Sequence, residues 1–178
     1  ALLAGDLEYR ANLREDPVYL VCTHGRRDPC CARRGLPVYN ALARFVGKPC
    51  VWQTSHIGGH RYAATVLTLP DGIYYGFVGD NEAPVIAEYT EGGRVFLPRY
   101  RGRAAYRKIV QAADYHLRQH TGVETIDAYR LLETVTNDDG THTFTFEDAD
   151  AQTFAVTIRE EESDYHIPSS CSNEEEGP

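Results

Sequence analysis

Two short segments hold the side chains best suited to bind a soft metal. Cys22-Thr-His-Gly-Arg-Arg-Asp-Pro-Cys-Cys31 carries cysteines at both ends, and Ser55-His56-Ile-Gly-Gly-His60 carries two histidines. Eight residues separate Cys22 from Cys31, 24 separate Cys31 from His56, and three separate His56 from His60. Two thiolates and two imidazoles on loops at the ends of neighbouring strands would make a four-ligand site. Zinc would take the set tetrahedrally, although structural zinc sites usually draw their cysteines from a tighter C-x2-4-C knuckle. A 2Fe-2S cluster tolerates the spread more easily, because its ligands attach to two irons. Two Cys and two His are also the Rieske ligand set, but the Rieske order, with both types in each loop, is absent.

The neighbouring residues admit other readings. Cys30 is an alternative to Cys31 as ligand, and Cys30-Cys31 together could form a thiol-disulfide couple, although no C-x-x-C motif accompanies them. Cys50, at the head of a β-rich run, reads as a core thiol. His116-Leu-Arg-Gln-His120 repeats the H-x3-H spacing, but helical periodicity places His120 within an apolar stripe and His116 at its edge, so both read as packing residues. Gly58 and Gly59 lie between the histidines. Without Cβ atoms they could wrap closely against a cluster and aim amides at its sulfides, or simply make a tight turn. Arg26, Arg27, Arg33 and Arg34 crowd the first segment and Arg61 follows the second. They form either a solvated basic loop or a positive rim that raises a cluster's potential and docks an acidic redox partner. Arg101-Gly-Arg103 could join that face or bind an anion.

These residues need a scaffold, and the hydrophobic pattern supplies one. Val18 to Cys22 reads as a short buried strand, and His24 to Gly35 as a polar loop. Pro37 then opens a helix carrying Val38, Leu42, Phe45 and Val46 at helical spacing up to Gly47. Cys50 to Thr54 reads as a second strand. Ala63 to Leu69 and Ile73 to Val78 form a hairpin through Pro70-Asp71-Gly72. Ala104 to His120 is an amphipathic helix with Gly122 as its C-cap. Arg130 to Thr136, Thr141 to Glu147 and Thr153 to Ile158 alternate as strands, and Glu160 to Pro178 is a charged tail bearing Cys171 and the run Glu174-Glu175-Glu176. Strand, helix, strand, hairpin and helix in that order predict a thioredoxin-like α/β sandwich. The last three strands form an appended sheet or extend the first. The expected organisation is one such domain over 1–122, a β extension of it over 123–160 and an acidic tail over 161–178.

Composition narrows the function. The 178 residues are 42% hydrophobic and 25% charged, with no apolar run near the roughly 18 residues of a membrane span. Lys+Arg 18 against Asp+Glu 26 gives a net charge of -8, which argues against nucleic acid as the main partner. Five cysteines are an odd number and too sparse for a stapled secreted scaffold, so a reducing compartment, the cytoplasm, is the expectation. No secretory signal pattern is visible. The chain has no methionine, not even at position 1, and reads as part of a longer protein.

The segments Leu20-Val-Cys-Thr-His-Gly-Arg-Arg-Asp-Pro-Cys-Cys-Ala32, Trp52-Gln-Thr-Ser-His-Ile-Gly-Gly-His-Arg-Tyr-Ala-Ala64, Leu69-Pro-Asp-Gly72 and Tyr100-Arg-Gly-Arg103 resemble the sucrase/ferredoxin-like family. The resemblance spans roughly residues 16 to 120, and Ser170-Cys171 is similar to a C-terminal family feature. It implies a thioredoxin-like ferredoxin domain holding a 2Fe-2S cluster, with Cys22 and Cys31 on one iron and His56 and His60 on the other; on the reading of the residues above, Gly58, Gly59 and Arg61 would then lie around the cluster. The family's sucrase label finds no pair of catalytic carboxylates here, so an electron carrier or redox sensor is expected rather than a sugar hydrolase.

Charge sets a further expectation. A diferric 2Fe-2S core is formally +2, so two thiolates neutralise it where four would leave it at -2. The neutral centre accepts an electron more readily, and His2Cys2 centres lie at about -150 to +300 mV against about -400 mV for plant-type ferredoxins. Imidazole ligands further predict coupling of electron to proton uptake. The expected partner is a redox protein or reductase. A zinc-binding interaction module and a thiol oxidoreductase using Cys30 and Cys31 are the competing functions.

Overall fold

The computed structural model of the chain describes residues 16–162. Strand β1 (Val18–Cys22) buries Tyr19, Val21 and Cys22. A nearly continuous apolar run belongs in the middle of a sheet, and β1 lies there. It pairs in parallel with β2 (Val51–Thr54), Leu20 opposite Trp52, and antiparallel with β3 (Val66–Leu69), Leu20 opposite Leu67. β3 turns through Pro70, Asp71 and Gly72 into β4 (Ile73–Tyr75), as the Pro-Asp-Gly signal predicts. β5 (Tyr100–Arg103), which the sequence pattern did not announce, completes the order β2-β1-β3-β4-β5.

Between β1 and β2 runs helix α1 (Pro29–Phe45). It starts at Pro29, not at Pro37 as expected, because Asp28 caps it and Pro29 occupies its first turn, where a missing N–H costs nothing. Pro37 lies inside the helix on an exposed face. A parallel β1-α1-β2 unit followed by the β3-β4 hairpin, in the order 2-1-3-4, is the thioredoxin-like α/β arrangement. Helix α2 (Ala83–Glu91) was not anticipated, since nine residues with a proline in the first turn give too little periodicity. Its Ala83, Ile86 and Ala87 join Val21, Val38, Leu42, Val66, Ile73 and Tyr75 in the main core.

Helix α3 (Lys108–Thr121) ends at Gly122 in the left-handed conformation, φ 70°, as its C-cap position predicts. The three late strands β6 (Arg130–Thr136), β7 (His142–Glu147) and β8 (Thr153–Ile158) form a separate antiparallel sheet in the order β6-β7-β8. Phe144 and Phe146 pack with Val110, Ala113 and Leu117 of α3 in a second core, so α3 packs on both β5 and β8. Arg118, 1% exposed, ties these parts together. It pairs with Asp114 at 3.1 Å and donates to the carbonyls of Thr125 and Ile126, each at 2.8 Å. The Tyr100 hydroxyl donates to the other Asp114 oxygen. Among the described residues, no helix is long and apolar enough to cross a membrane.

Candidate metal centre

Both cysteine ligands assigned by resemblance sit where β1 meets α1. Cys22 ends β1, opposite Thr54 of β2, and its N–H donates to the Thr65 carbonyl at 3.2 Å. The chain then turns tightly, with the N–H groups of Arg27 and Asp28 both donating to the His24 carbonyl, at 3.1 and 3.2 Å. The Asp28 carboxylate caps α1 by accepting from the Cys30 N–H at 3.0 Å. Cys31 follows in the first helical turn, next to the positive end of the helix dipole. Cys22 and Cys31 are both free thiols, each 1% exposed, and their side chains are in hydrogen-bond contact. Burial pushes the Cys31 thiol up to about 12, with help from Cys22 and Asp28, so Cys31 holds its proton until a cation displaces it.

The histidine segment leaves β2 directly beside this pair, because Thr54, opposite Cys22, stands two residues before His56. His56 and His60 come together with ring centroids 5.3 Å apart. Gly58 and Gly59 between them take φ 93° and 60°, values that favour glycine, and a Cβ on Gly59 would come within 3.1 Å of the Tyr74 hydroxyl. That hydroxyl donates to the Gly58 carbonyl at 2.6 Å, tying the segment to β4. Burial of His56 lowers its pKa, and so do His60, Arg27 and His24, so the ring is neutral at physiological pH, as a ligand must be. The Nδ1 atoms of His24 and His56 are buried with no hydrogen-bond partner. An orphaned buried ring nitrogen is costly in a native protein and is the donor a metal would satisfy.

The donors therefore stand two by two. Asp28 lies within electrostatic reach of both Cys31 and His56, and so joins the two halves. Among the described residues, no three His, Cys, Asp or Glu side chains converge tightly enough to hold a single ion.

Other residues singled out in the sequence fall elsewhere. Cys30 is disulfide-bonded while Cys31 is free, so the two form no vicinal disulfide and Cys31 is the partner of Cys22. Cys50 is half-buried in the short turn Lys48–Cys50 and is not a core thiol, because Pro49 bends the chain there before β2 begins. His116 and His120 are both exposed on α3, beside a groove of about 400 Å³ against β8, so the expectation that His120 packs in the apolar stripe is not met. Arg61 is exposed, with its guanidinium 5.1 Å from the Tyr62 ring centroid. Cys171 and the acidic run after it lie outside the described residues. Sequence reasoning missed His24, Asp28, Gly35 and Tyr74. The Asp28-Pro29 pair was a legible helix start, whereas only the tertiary fold brings Tyr74 to Gly58.

Residues 3–102 match the model of the sucrase/ferredoxin-like family, more than half of the chain. The chain belongs to this family. Relatives include Altered inheritance of mitochondria protein 32 of Candida glabrata, 27% identical over 111 residues, and of Meyerozyma guilliermondii, 26% identical over 106. Each match covers 54% of this chain and 36% or 38% of the relative, so the chain spans little more than a third of their length. Among solved structures, a thioredoxin-like [2Fe-2S] ferredoxin from Aquifex aeolicus is similar at 20% identity and a TM-score of 0.45, over 52% of this chain and 96% of that one. Its wild-type form at 1.5 Å is similar at 22% identity and a TM-score of 0.43, over 49% and 97%.

Proposed function

We propose that this chain is a one-electron carrier or redox sensor whose cofactor is a 2Fe-2S cluster, held by Cys22 and Cys31 on one iron and His56 and His60 on the other. The observation that carries this reading is the two-by-two grouping: a buried free thiol pair at the end of β1 and an imidazole pair on the segment that leaves β2 beside it. A mononuclear zinc site needs its donors gathered around one ion, whereas a dinuclear cluster needs them in pairs.

The chain's own groups do the rest. To hold the core, the Cys22 and Cys31 thiols would give up their protons and offset its charge with two negative charges, while the His56 and His60 imidazoles would bind neutral. Tyr74 holds the histidine segment through Gly58, and Asp28 fixes the first turn of α1 that carries Cys31. The bound cluster would supply one-electron chemistry, at a potential above that of all-cysteine ferredoxins. The cytoplasmic expectation gains no support, since the relatives are named for mitochondrial inheritance and Cys30 is disulfide-bonded.

Ultraviolet–visible and EPR spectra of anaerobically purified protein test the proposal. It predicts a red-brown protein with charge-transfer bands and an EPR signal on one-electron reduction. A colourless protein containing zinc would overturn it.

A further inference from the structure

The arginines of the described residues fall into a paired and an unpaired group. The ion pairs of the described residues belong to Arg94, Arg99, Arg103, Arg118, Arg130 and Arg159. Arg26, Arg27, Arg44 and Arg107 are exposed without a carboxylate partner among the described residues, and so are Arg33, Arg34, Arg61 and Arg101. The last four surround an aromatic pair. The guanidinium of Arg101 stands 3.9 Å and that of Arg61 5.1 Å from the Tyr62 ring centroid, and Tyr62 meets Phe77 edge-on at 5.3 Å. Phe77 borders a groove of about 410 Å³ together with Arg33 and Arg34, with Asp80 also on its edge.

Phe77 is 47% exposed and takes φ 56°, a left-handed conformation uncommon outside glycine and strained for a bulky residue. The fold enforces it: the Phe77 N–H donates to the Tyr62 carbonyl at 2.6 Å and the Val78 N–H to the Ala64 carbonyl at 3.1 Å. A strained backbone that holds an aromatic ring in solvent, ringed by cations lacking counter-charges, has the composition of a binding hot spot. Tyr62 lies two residues past His60, so this surface adjoins the candidate ligands.

We propose that this arginine–aromatic rim is the docking surface for a redox protein with an acidic face. The proposal rests on the cluster reading, because its use is to bring a second redox centre close to the ligand segments. Charge complementarity selects the partner: a net charge of -8 opposes close approach of acidic partners everywhere except at a local basic patch. A compact acidic protein face fits within that patch. The net charge of -8 disfavours an extended polyanion such as nucleic acid.

The test uses stopped-flow oxidation of the reduced protein by two ferric haem proteins that differ mainly in charge, native basic cytochrome c and cytochrome c with its lysines carboxymaleylated. One electron passes to the ferric haem in each. The acidified form should react faster at low salt and slow as salt rises, with the native form showing the opposite slope. Arg33→Glu and Arg101→Glu should each slow the acidified reaction about threefold or more at low salt. Arg33→Gln, which removes the charge without reversing it, should fall in between. Arg44→Glu, the same charge change near the far end of α1, should alter it less than about twofold. Intact visible bands with rates insensitive to Arg33→Glu and Arg101→Glu, or equal effects from Arg44→Glu, would overturn docking while leaving the cluster reading in place. Absence of cluster bands in the unsubstituted protein would instead overturn the cluster reading. A single-stranded oligonucleotide that blocks the reaction at a lower concentration than a redox-inactive zinc-substituted form of the acidified cytochrome would replace the protein partner with nucleic acid.

Discussion

Gly35 of α1 packs its bare Cα against the carbonyl of Cys22, so closely that a Cβ there would lie 2.1 Å from the carbonyl oxygen. The helix that carries Cys31 can therefore reach the strand that carries Cys22 only because position 35 is glycine.

Gly35→Ala should force the two elements apart. Alanine is the better helix former, but the clash is with backbone and cannot be relieved by a side-chain rotation. We expect a net loss of about 1–3 kcal/mol in urea unfolding, together with reduced metal content, because the Cys22–Cys31 contact opens.

Asp28 is buried at the N-cap of α1, with its carboxylate within electrostatic reach of Cys31 and His56. Asp28→Ala should cost about 1 kcal/mol through the lost cap. Asp28→Asn keeps a capping oxygen but removes a negative charge beside the proposed cluster, and should raise the midpoint potential measured by redox titration. An unchanged or lower potential would count against Asp28 facing the cluster.

Tyr74→Phe removes the 2.6 Å hydrogen bond to the Gly58 carbonyl and leaves the ring in place. Stability should fall by about 0.5–1.5 kcal/mol. If the tyrosine positions the histidine segment, the EPR line shape and the potential should shift as well, whereas a purely structural contact would move stability alone.

Arg118→Met should break the buried network that joins α3 to the start of the second sheet. Leaving Asp114 without its cation costs about 3–5 kcal/mol. Metal content per folded molecule should stay unchanged, because this network is built on α3, β5 and the chain leading into β6 rather than on the ligand segments.

The sequence made some of this legible and hid the rest for physical reasons. Cys22, Cys31, His56 and His60 stood out because few other residue types bind soft metals, and the structure pairs thiol with thiol and imidazole with imidazole. Strands β6 to β8 and the Gly122 cap followed from alternation and glycine chemistry. Helix α1 begins before its hydrophobic periodicity does, because its first turns are polar and Pro37 interrupts the pattern, although Asp28-Pro29 marks the true start. Arg118 and Asp114 occupy buried positions that a hydrophobic pattern cannot reveal, since each is buried only by virtue of the other. Tyr74 and Gly35 act through contacts between elements, which no local pattern encodes.

The most direct test of the account is a pulsed electron–nuclear double resonance spectrum of the one-electron-reduced protein. The account predicts couplings from two ligand nitrogens, one of which is lost in His56→Ala while His116→Ala leaves both. A reduced cluster without nitrogen coupling, or one whose couplings disappear with His116 instead, would contradict it.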